Sequence, residues 1–194
     1  GGGEEQEAVE ASWSNIDTSL EKLKNYEYLL GNFYTVDSTT MTNPEELDAE
    51  ALLAKDMKID TSTEGPKVLI YHTHSQEGFI DSVEGDASTT IMGMGTYLTE
   101  LLNERGIPAI HHEGVYDLID GSLDRSKAYD LAEPEVRKIL ADNPSIEVLI
   151  DLHRDGVAEG THLVTKANGK PTAQIMFFNG LSRTKANGDI AYLY

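Results

Sequence analysis

The chain has 194 residues, enough for one ordinary domain plus a segment or for two small ones, and its 39% hydrophobic and 25% charged content is that of a globular protein. A formal net charge of −19 and a pI near 4.5 repel nucleic-acid phosphates and anionic membrane surfaces, so DNA, RNA and lipid headgroups are discounted as partners. No apolar run approaches the roughly 18–20 residues of a membrane span, and the absence of cysteine excludes disulfides and thiolate zinc sites.

The chain divides near residue 65. Its start, GGGEEQEAVE, carries no signal-peptide pattern and reads as the beginning of a mature fragment. Residues 1–12 are acidic and nearly free of large apolar groups, so disorder is expected there. A helix is expected over 14–30, with Ile16, Leu20, Leu23 and Leu30 on one face and Gly31 as its stop. That stripe either docks on a partner or packs on a second short helix starting at Asn43. There Asn43 would cap, Pro44 suits the first helical position, and Glu46 completes a capping box. Residues 61–66, TSTEGP, read as a linker. The expected organisation is an acidic stalk with short helices over 1–65 and a catalytic-type domain over 66–194.

From Lys67 onward strands and helices alternate. Strand Lys67–Tyr71 is followed by a helix over Thr90–Arg105, with Ile91, Met94, Leu98, Leu101 and Leu102 inward and Gly106 ending it. Strand Ile107–His111 comes next. Residues 123–142 read as helical with a break at Pro134. A third strand covers Glu147–Leu152. Runs at Thr161–Thr165 and Thr172–Phe178 flank Asn168-Gly169, a hairpin signal. Strands separated by helices predict an α/β fold: a mixed, largely parallel sheet flanked by helices.

Two apolar strands end in histidine. The first runs into His72 and His74, with Glu77 three residues beyond, and the third runs into His153. In open α/β sheets sites lie outside the carboxyl ends of the strands, so parallel strands deliver His74 and His153 to one edge. Two histidines and a carboxylate around an open fourth position form the ligand set of many hydrolytic zinc sites, in which bound water reaches a pKa of about 7. Glu77 competes with Glu84 and Glu113 for the third place. His72 reads as a packed or supporting histidine, and His111-His112-Glu113 as surface or core, since adjacent strand side chains face opposite ways. Asp151 shares a face with His153 and is placed to orient its ring or to satisfy a backbone donor. Arg154 is placed either to polarise a substrate carbonyl or to pair with Asp155 or Asp151. No phosphate-binding glycine loop is present.

Four stretches, PKVLIYHTHSQEGF, LDRSKAYDLA, IDLHRDG and THLVTKANGKPTAQIMFFNG, together resemble the stage II sporulation protein P family, from about residue 66 to the last residue. Proteins of that family are similar to zinc-dependent N-acetylmuramoyl-L-alanine amidases. The resemblance implies a zinc-amidase-like fold and cleavage of the amide between muramic acid and the L-alanine of the peptidoglycan stem peptide. It implies septal wall remodelling during engulfment in spore-forming bacteria, outside the cytoplasm, on a membrane anchor absent from this sequence. It implies a lytic transglycosylase partner, stage II sporulation protein D. By position, His74 and His153 match the histidine ligands and Glu77 the glutamate of the first motif.

Amidases of this class use a further late glutamate as general base. This sequence ends at Asp189-Ile190-Ala191-Tyr192-Leu193-Tyr194 without one, so the base is expected outside it, and the chain by itself is expected to bind zinc yet turn over little. Two other classes stand beside the amidase. An amidohydrolase barrel needs roughly 250 residues, about twice the length of chain beyond Lys67. A non-catalytic wall-binding or scaffolding module of the same fold is separated from the enzyme by its metal content.

Overall fold

In the computed structural model the described residues are 16–158, 160–180, 183–186 and 188–189. They fall into two compact units, one within Lys58–Gly156 and the other drawn from Gly1–Met57 and Val157–Tyr194. The expected disorder over 1–12 and the first residues of the helix expected from 14 lie outside the described residues.

That helix is in fact two short ones, α1 (Leu20–Leu23) and α2 (Tyr26–Phe33). Asn25 separates them because its side chain accepts the Tyr28 N–H at 2.9 Å and caps α2, the use to which asparagine is better suited than to a helix interior. Gly31 does not stop α2: Tyr34 N–H still reaches the Leu30 carbonyl at 3.2 Å. The buried residue is Leu29, while Leu20 stays exposed. Asn43 makes its capping bonds to Glu45 N–H (2.9 Å) and Glu46 N–H (3.0 Å), but only a turn comes after it. The helix there is α3 (Ala49–Leu53), started by Asp48, whose carboxylate accepts from Glu50 and Ala51 N–H. α1 packs on both α2 and α3, and Lys24 and Glu50 are joined at 2.7 Å.

The other unit is built on β1 (Val68–Tyr71), an unbroken buried apolar run. Parallel strands flank it, β2 (Ala109–His111) and β5 (Val148–Asp151), in the order β2-β1-β5. Between β1 and β2 runs α4 (Ile91–Glu104), capped by the Thr90 hydroxyl and ended at Gly106, whose φ of +75° suits glycine. Val68, Ile70 and Ala109 form a core with Leu98 and Leu102 of α4 and Val148 and Ile150 of β5. Leu69, on the opposite face, is fully buried too, as expected of a central parallel strand. Met92 is buried in place of the expected Met94, which is 44% exposed. Asn103 ties the end of α4 to β2 by exchanging two 3.0 Å bonds with the Ala109 backbone.

Residues 123–127 are not helical. Instead β3 (Leu118–Ile119) and β4 (Ser122–Leu123) form a hairpin around Asp120 and Gly121, whose φ values of +51° and +78° fit a primed turn. The helix is α5 (Ala128–Asp142), and it runs through Pro134 without a break. Pro134 removes one backbone bond, at a cost of about 3 kcal/mol, but it is exposed, and the stripe Ala128, Ala132, Val136 is buried along the helix past it. Packing of that stripe overrides the local preference. Beyond β5, in the unit drawn from Gly1–Met57 and Val157–Tyr194, β6 (Val164–Ala167) and β7 (Lys170–Ala173) pair around Asn168-Gly169 as the dipeptide predicts. The second run ends at Ala173, so Ile175–Phe178 lie outside it. Two short strands, β8 (Arg183–Thr184) and β9 (Gly188–Asp189), close the described chain. The architecture is mixed α/β, a small parallel sheet flanked by helices.

His72 is fully buried beside α4, its Nε2 2.8 Å from the His111 Nε2, and a Cβ on Gly95 would lie 2.5 Å from both nitrogens. Gly95→Ala should therefore destabilise by about 1–3 kcal/mol through overpacking, against the gain of up to about 1 kcal/mol that alanine normally brings to a helix. Gly31→Ala, where a Cβ meets nothing within 4 Å, should show that gain. Urea unfolding monitored by circular dichroism checks both, and a stabilising Gly95→Ala would contradict the close approach.

Candidate metal centre

The registers of β1 and β5 place Tyr71 beside Asp151, and the Leu152 N–H bonds the Tyr71 carbonyl at 2.9 Å. Both chains then leave the sheet together. His74 and His153 emerge with ring centroids 5.0 Å apart and planes at 77°. The intervening loop returns Glu77 to them: its Oε1 lies 3.8 Å from His74 Nδ1 and 3.6 Å from His153 Nδ1. One ligand atom from each of the three residues falls within 4.8 Å of the others.

Each member is held from behind. His153 Nε2 lies 2.9 Å from Asp151 Oδ1 and 3.0 Å from the Thr73 hydroxyl. Asp151 also accepts the Thr73 N–H at 2.9 Å and its O–H at 2.8 Å. With Nε2–H turned to Asp151, the Nδ1 lone pair of His153 faces Glu77, the usual way a carboxylate orients a metal-binding histidine. The loop carrying His74 and Glu77 is anchored on the buried Asp117, which accepts the Ser75 hydroxyl at 2.7 Å and the Gln76 N–H at 3.1 Å. Glu77 accepts the Ile91 N–H at 2.9 Å through its carbonyl, and its carboxylate is bonded at both oxygens. Arg125 Nη2 donates to Oε1 at 2.6 Å and the Arg154 N–H to Oε2 at 2.5 Å.

The protonation preferences are divided. Burial, then the nearby Arg125 and His153, hold His74 below the usual imidazole value, which favours the neutral ring with one bare nitrogen. The hydrogen bond to Asp151 raises His153. Burial alone would raise Asp151, but the bonds from His153 and Thr73 outweigh it and its carboxyl is lowered.

A divalent cation is what this donor set fits. His74 Nε2 is buried with no hydrogen-bond partner, a state that costs about 1–3 kcal/mol when nothing fills it. Two imidazoles converge on one carboxylate oxygen, and nitrogen–oxygen donors of this kind suit zinc.

Other residues singled out in the sequence sit elsewhere. His72 donates from Nδ1 to the Leu152 carbonyl at 2.8 Å and meets His111 through Nε2, so it supports the end of β5 and takes no place in the cluster. His111 Nδ1 lies 3.2 Å from the Thr96 hydroxyl, and His112 Nε2 lies 2.5 Å from the Tyr116 hydroxyl. Glu113 is exposed beside His111, and Glu84 is exposed; neither joins the three. The Arg154 guanidinium turns to the Asp155 carbonyl at 3.2 Å, leaving its backbone N–H at the cluster. Two residues escaped the sequence reading: Arg125, and Tyr129, whose ring packs edge-on against His74 at 5.6 Å. Both lie in or next to the LDRSKAYDLA stretch, but no spacing there links them to the strand ends.

The family model described as stage II sporulation protein P matches residues 4–191. A curated relative, stage II sporulation protein P of Bacillus subtilis (strain 168), is 26% identical over 136 residues, covering 65% of this chain and 34% of the relative. The chain thus spans about a third of the length of the curated relative it matches. No solved structure matches it. With the family model covering nearly the whole sequence, the chain belongs to the stage II sporulation protein P family.

Proposed function

We propose that the cluster is the zinc site of an N-acetylmuramoyl-L-alanine amidase acting on peptidoglycan. The carrying observation is the convergence of His74, Glu77 and His153 at the carboxyl edge of two parallel strands, with His74 Nε2 unpartnered. A bound zinc ion would polarise an amide carbonyl and bring a water pKa to about 7. The protein's part is to hold and orient. His74 and His153 supply neutral nitrogens, Asp151 and Thr73 fix the His153 ring, and the Arg154 N–H and Arg125 fix the Glu77 carboxylate. The scissile bond joins the lactyl group of muramic acid to L-alanine. The acid–base glutamate implied by the resemblance has no counterpart among the three clustered residues.

Membership of the family supports a setting in sporulation. We extend this to septal wall remodelling during engulfment, outside the cytoplasm, with the lytic transglycosylase stage II sporulation protein D as partner. None of the described helices is long and apolar enough to cross a membrane. A non-catalytic wall-binding module would keep the fold and lose the metal.

The purified chain should hold close to one equivalent of zinc by elemental analysis. His74→Ala or His153→Ala should abolish tight binding with secondary structure kept, and stoichiometric zinc in both variants would refute the site. Asp151→Asn should weaken zinc by about 10–100-fold. Protons compete for His153, and because its pKa is raised the competition sets in above the ordinary 6.5 and grows as pH falls. Zinc affinity should therefore decline on acidification from above that value, and Asp151→Asn, which removes the cause of the rise, should move the onset to lower pH. A chelator competition across pH 5–8 reads both.

The chemistry has its own test. Peptidoglycan digested by a version of the protein extended to the length of its relative should release stem peptides with a free N-terminal alanine amine, seen by mass spectrometry. New reducing sugar ends in their place would identify a glycosidase.

A further inference from the structure

We infer that Arg125 is the residue that meets the scissile carbonyl oxygen at this centre, an inference that rests on the amidase reading. Its guanidinium sits at the cluster itself: Nη2 is 2.6 Å from Glu77 Oε1, the same oxygen that both histidine Nδ1 atoms approach at 3.6 and 3.8 Å. It also reaches solvent. The Arg125 side chain is 46% exposed, while that of Glu77 is 6%. Arg125 therefore joins the buried Glu77 to solvent, the side open to a substrate. A guanidinium has five N–H donors in a fixed fork, and Arg125 has one hydrogen-bonded partner, Glu77, among the described residues.

The alternative cation is placed differently. Arg154, the residue the sequence suggested for this task, meets the cluster through its backbone N–H, and its guanidinium turns to the Asp155 carbonyl at 3.2 Å. Around the cluster the remaining charged groups, Glu77, Asp151 and Asp117, are acidic, in a chain of net charge −19. An oxygen that gains negative charge beside these carboxylates needs a local positive donor. Four residues on, Tyr129 is 60% exposed with its ring against His74, so Arg125 and Tyr129 border the same histidine side of the site.

The chemistry asked of Arg125 is small and balanced. As a water oxygen adds to the lactyl carbonyl carbon and gives up a proton to the acid–base group, the carbonyl π pair moves to oxygen. Arg125 donates an N–H hydrogen bond to that oxygen and transfers no proton. When the C–N bond breaks, its electron pair leaves with the alanine nitrogen, which takes back the proton the water gave up, and the oxygen's pair returns to re-form C=O. A donor preorganised for such an oxyanion is worth about 10²–10³ in kcat.

A competing role would be to orient Glu77 and nothing more. The two are separated with the chain loaded with Co²⁺ in place of zinc, its visible absorption titrated with inorganic phosphate as a tetrahedral oxyanion probe. With the metal site kept saturated in each variant, Arg125→Gln should weaken phosphate by at least about tenfold, the loss of one charge-assisted hydrogen bond, beyond any Co²⁺ affinity it loses by releasing Glu77. Arg125→Lys should recover part of the phosphate affinity. Unchanged phosphate binding by Arg125→Gln with the metal in place would overturn the inference. A loss of phosphate affinity that disappears once the Co²⁺ site is saturated would also overturn it, since Arg125 would then act only through Glu77. Failure of the unaltered chain to take Co²⁺ would instead bring down the amidase reading on which the inference stands, and is visible before phosphate is added.

Discussion

The candidate site depends on the parallel pairing of β1 with β5. Four consecutive partners, Val68↔Val148 through Tyr71↔Asp151, fix the register. A slip by one residue would turn the apolar side chains of β5 to the wrong face and carry Asp151 away from Thr73 and His153 away from His74. Burial enforces the register, since Val68, Leu69 and Ile70 are almost wholly enclosed and Ile150 and Val148 pack in the same core. The interaction that stabilises the sheet is thus the one that sets the distance between the two histidines. Stability and site geometry are a single constraint here.

Electrostatics then complete the arrangement that the register begins. Buried carboxylates are costly unless bonded, and each one near the site is bonded: Asp117 to Ser75 and Gln76, Asp151 to Thr73 and His153, Glu77 to Arg125 and the Arg154 N–H. In this way negative charge is concentrated at one sheet edge without the carboxylates facing one another unpaired. Burial and Arg125 keep His74 deprotonated, while Asp151 draws a proton towards His153. The two rings are unlike before any ion arrives, and the ring more prone to protonation is the one with a carboxylate ready to take its Nε2–H.

Much of this was legible in the sequence because it arises from long-range regularities. The run VLIY and the helix from Thr90 carry strong periodic and capping signals, and they stand where the residues say. Strand ends that finish in histidine gave the cluster. Local signals in the weaker segments were less decisive. Asn25 and Asp48 captured the helix starts within Gly1–Met57, because a side chain that satisfies orphan N–H groups outcompetes a stripe of leucines with little to pack against. At Pro134 the reverse held, and buried alanines carried the helix through. Asp120-Gly121 was a readable hairpin signal obscured by the helical look of the residues after it. Arg125 could not be read from spacing at all: its approach to Glu77 spans 48 positions and is created by the hairpin and turn that set down the start of α5.

The loop from His72 to Glu77 shows where function is written into such a scaffold. His72 is bound to Leu152 and His111, and Thr73 to Asp151. Ser75 and Gln76 are bound to Asp117, and Glu77 to Arg125, Arg154 and Ile91. All but the backbone bond from the Ile91 N–H to the Glu77 carbonyl use a side chain, and all reach distant parts of the chain, the kind of bond that rigidifies a loop otherwise free to move. Only the His74 side chain lacks a hydrogen-bond partner, although its Nε2 is buried. A loop in which five neighbours are fully engaged does not leave its sixth residue unpaired through looseness. The rigidity of the others fixes the His74 ring with Nδ1 turned to Glu77 Oε1 at 3.8 Å and Nε2 without a hydrogen bond, and an external electron-pair acceptor among the three ligand atoms would bring His74, Glu77 and His153 into one bond set.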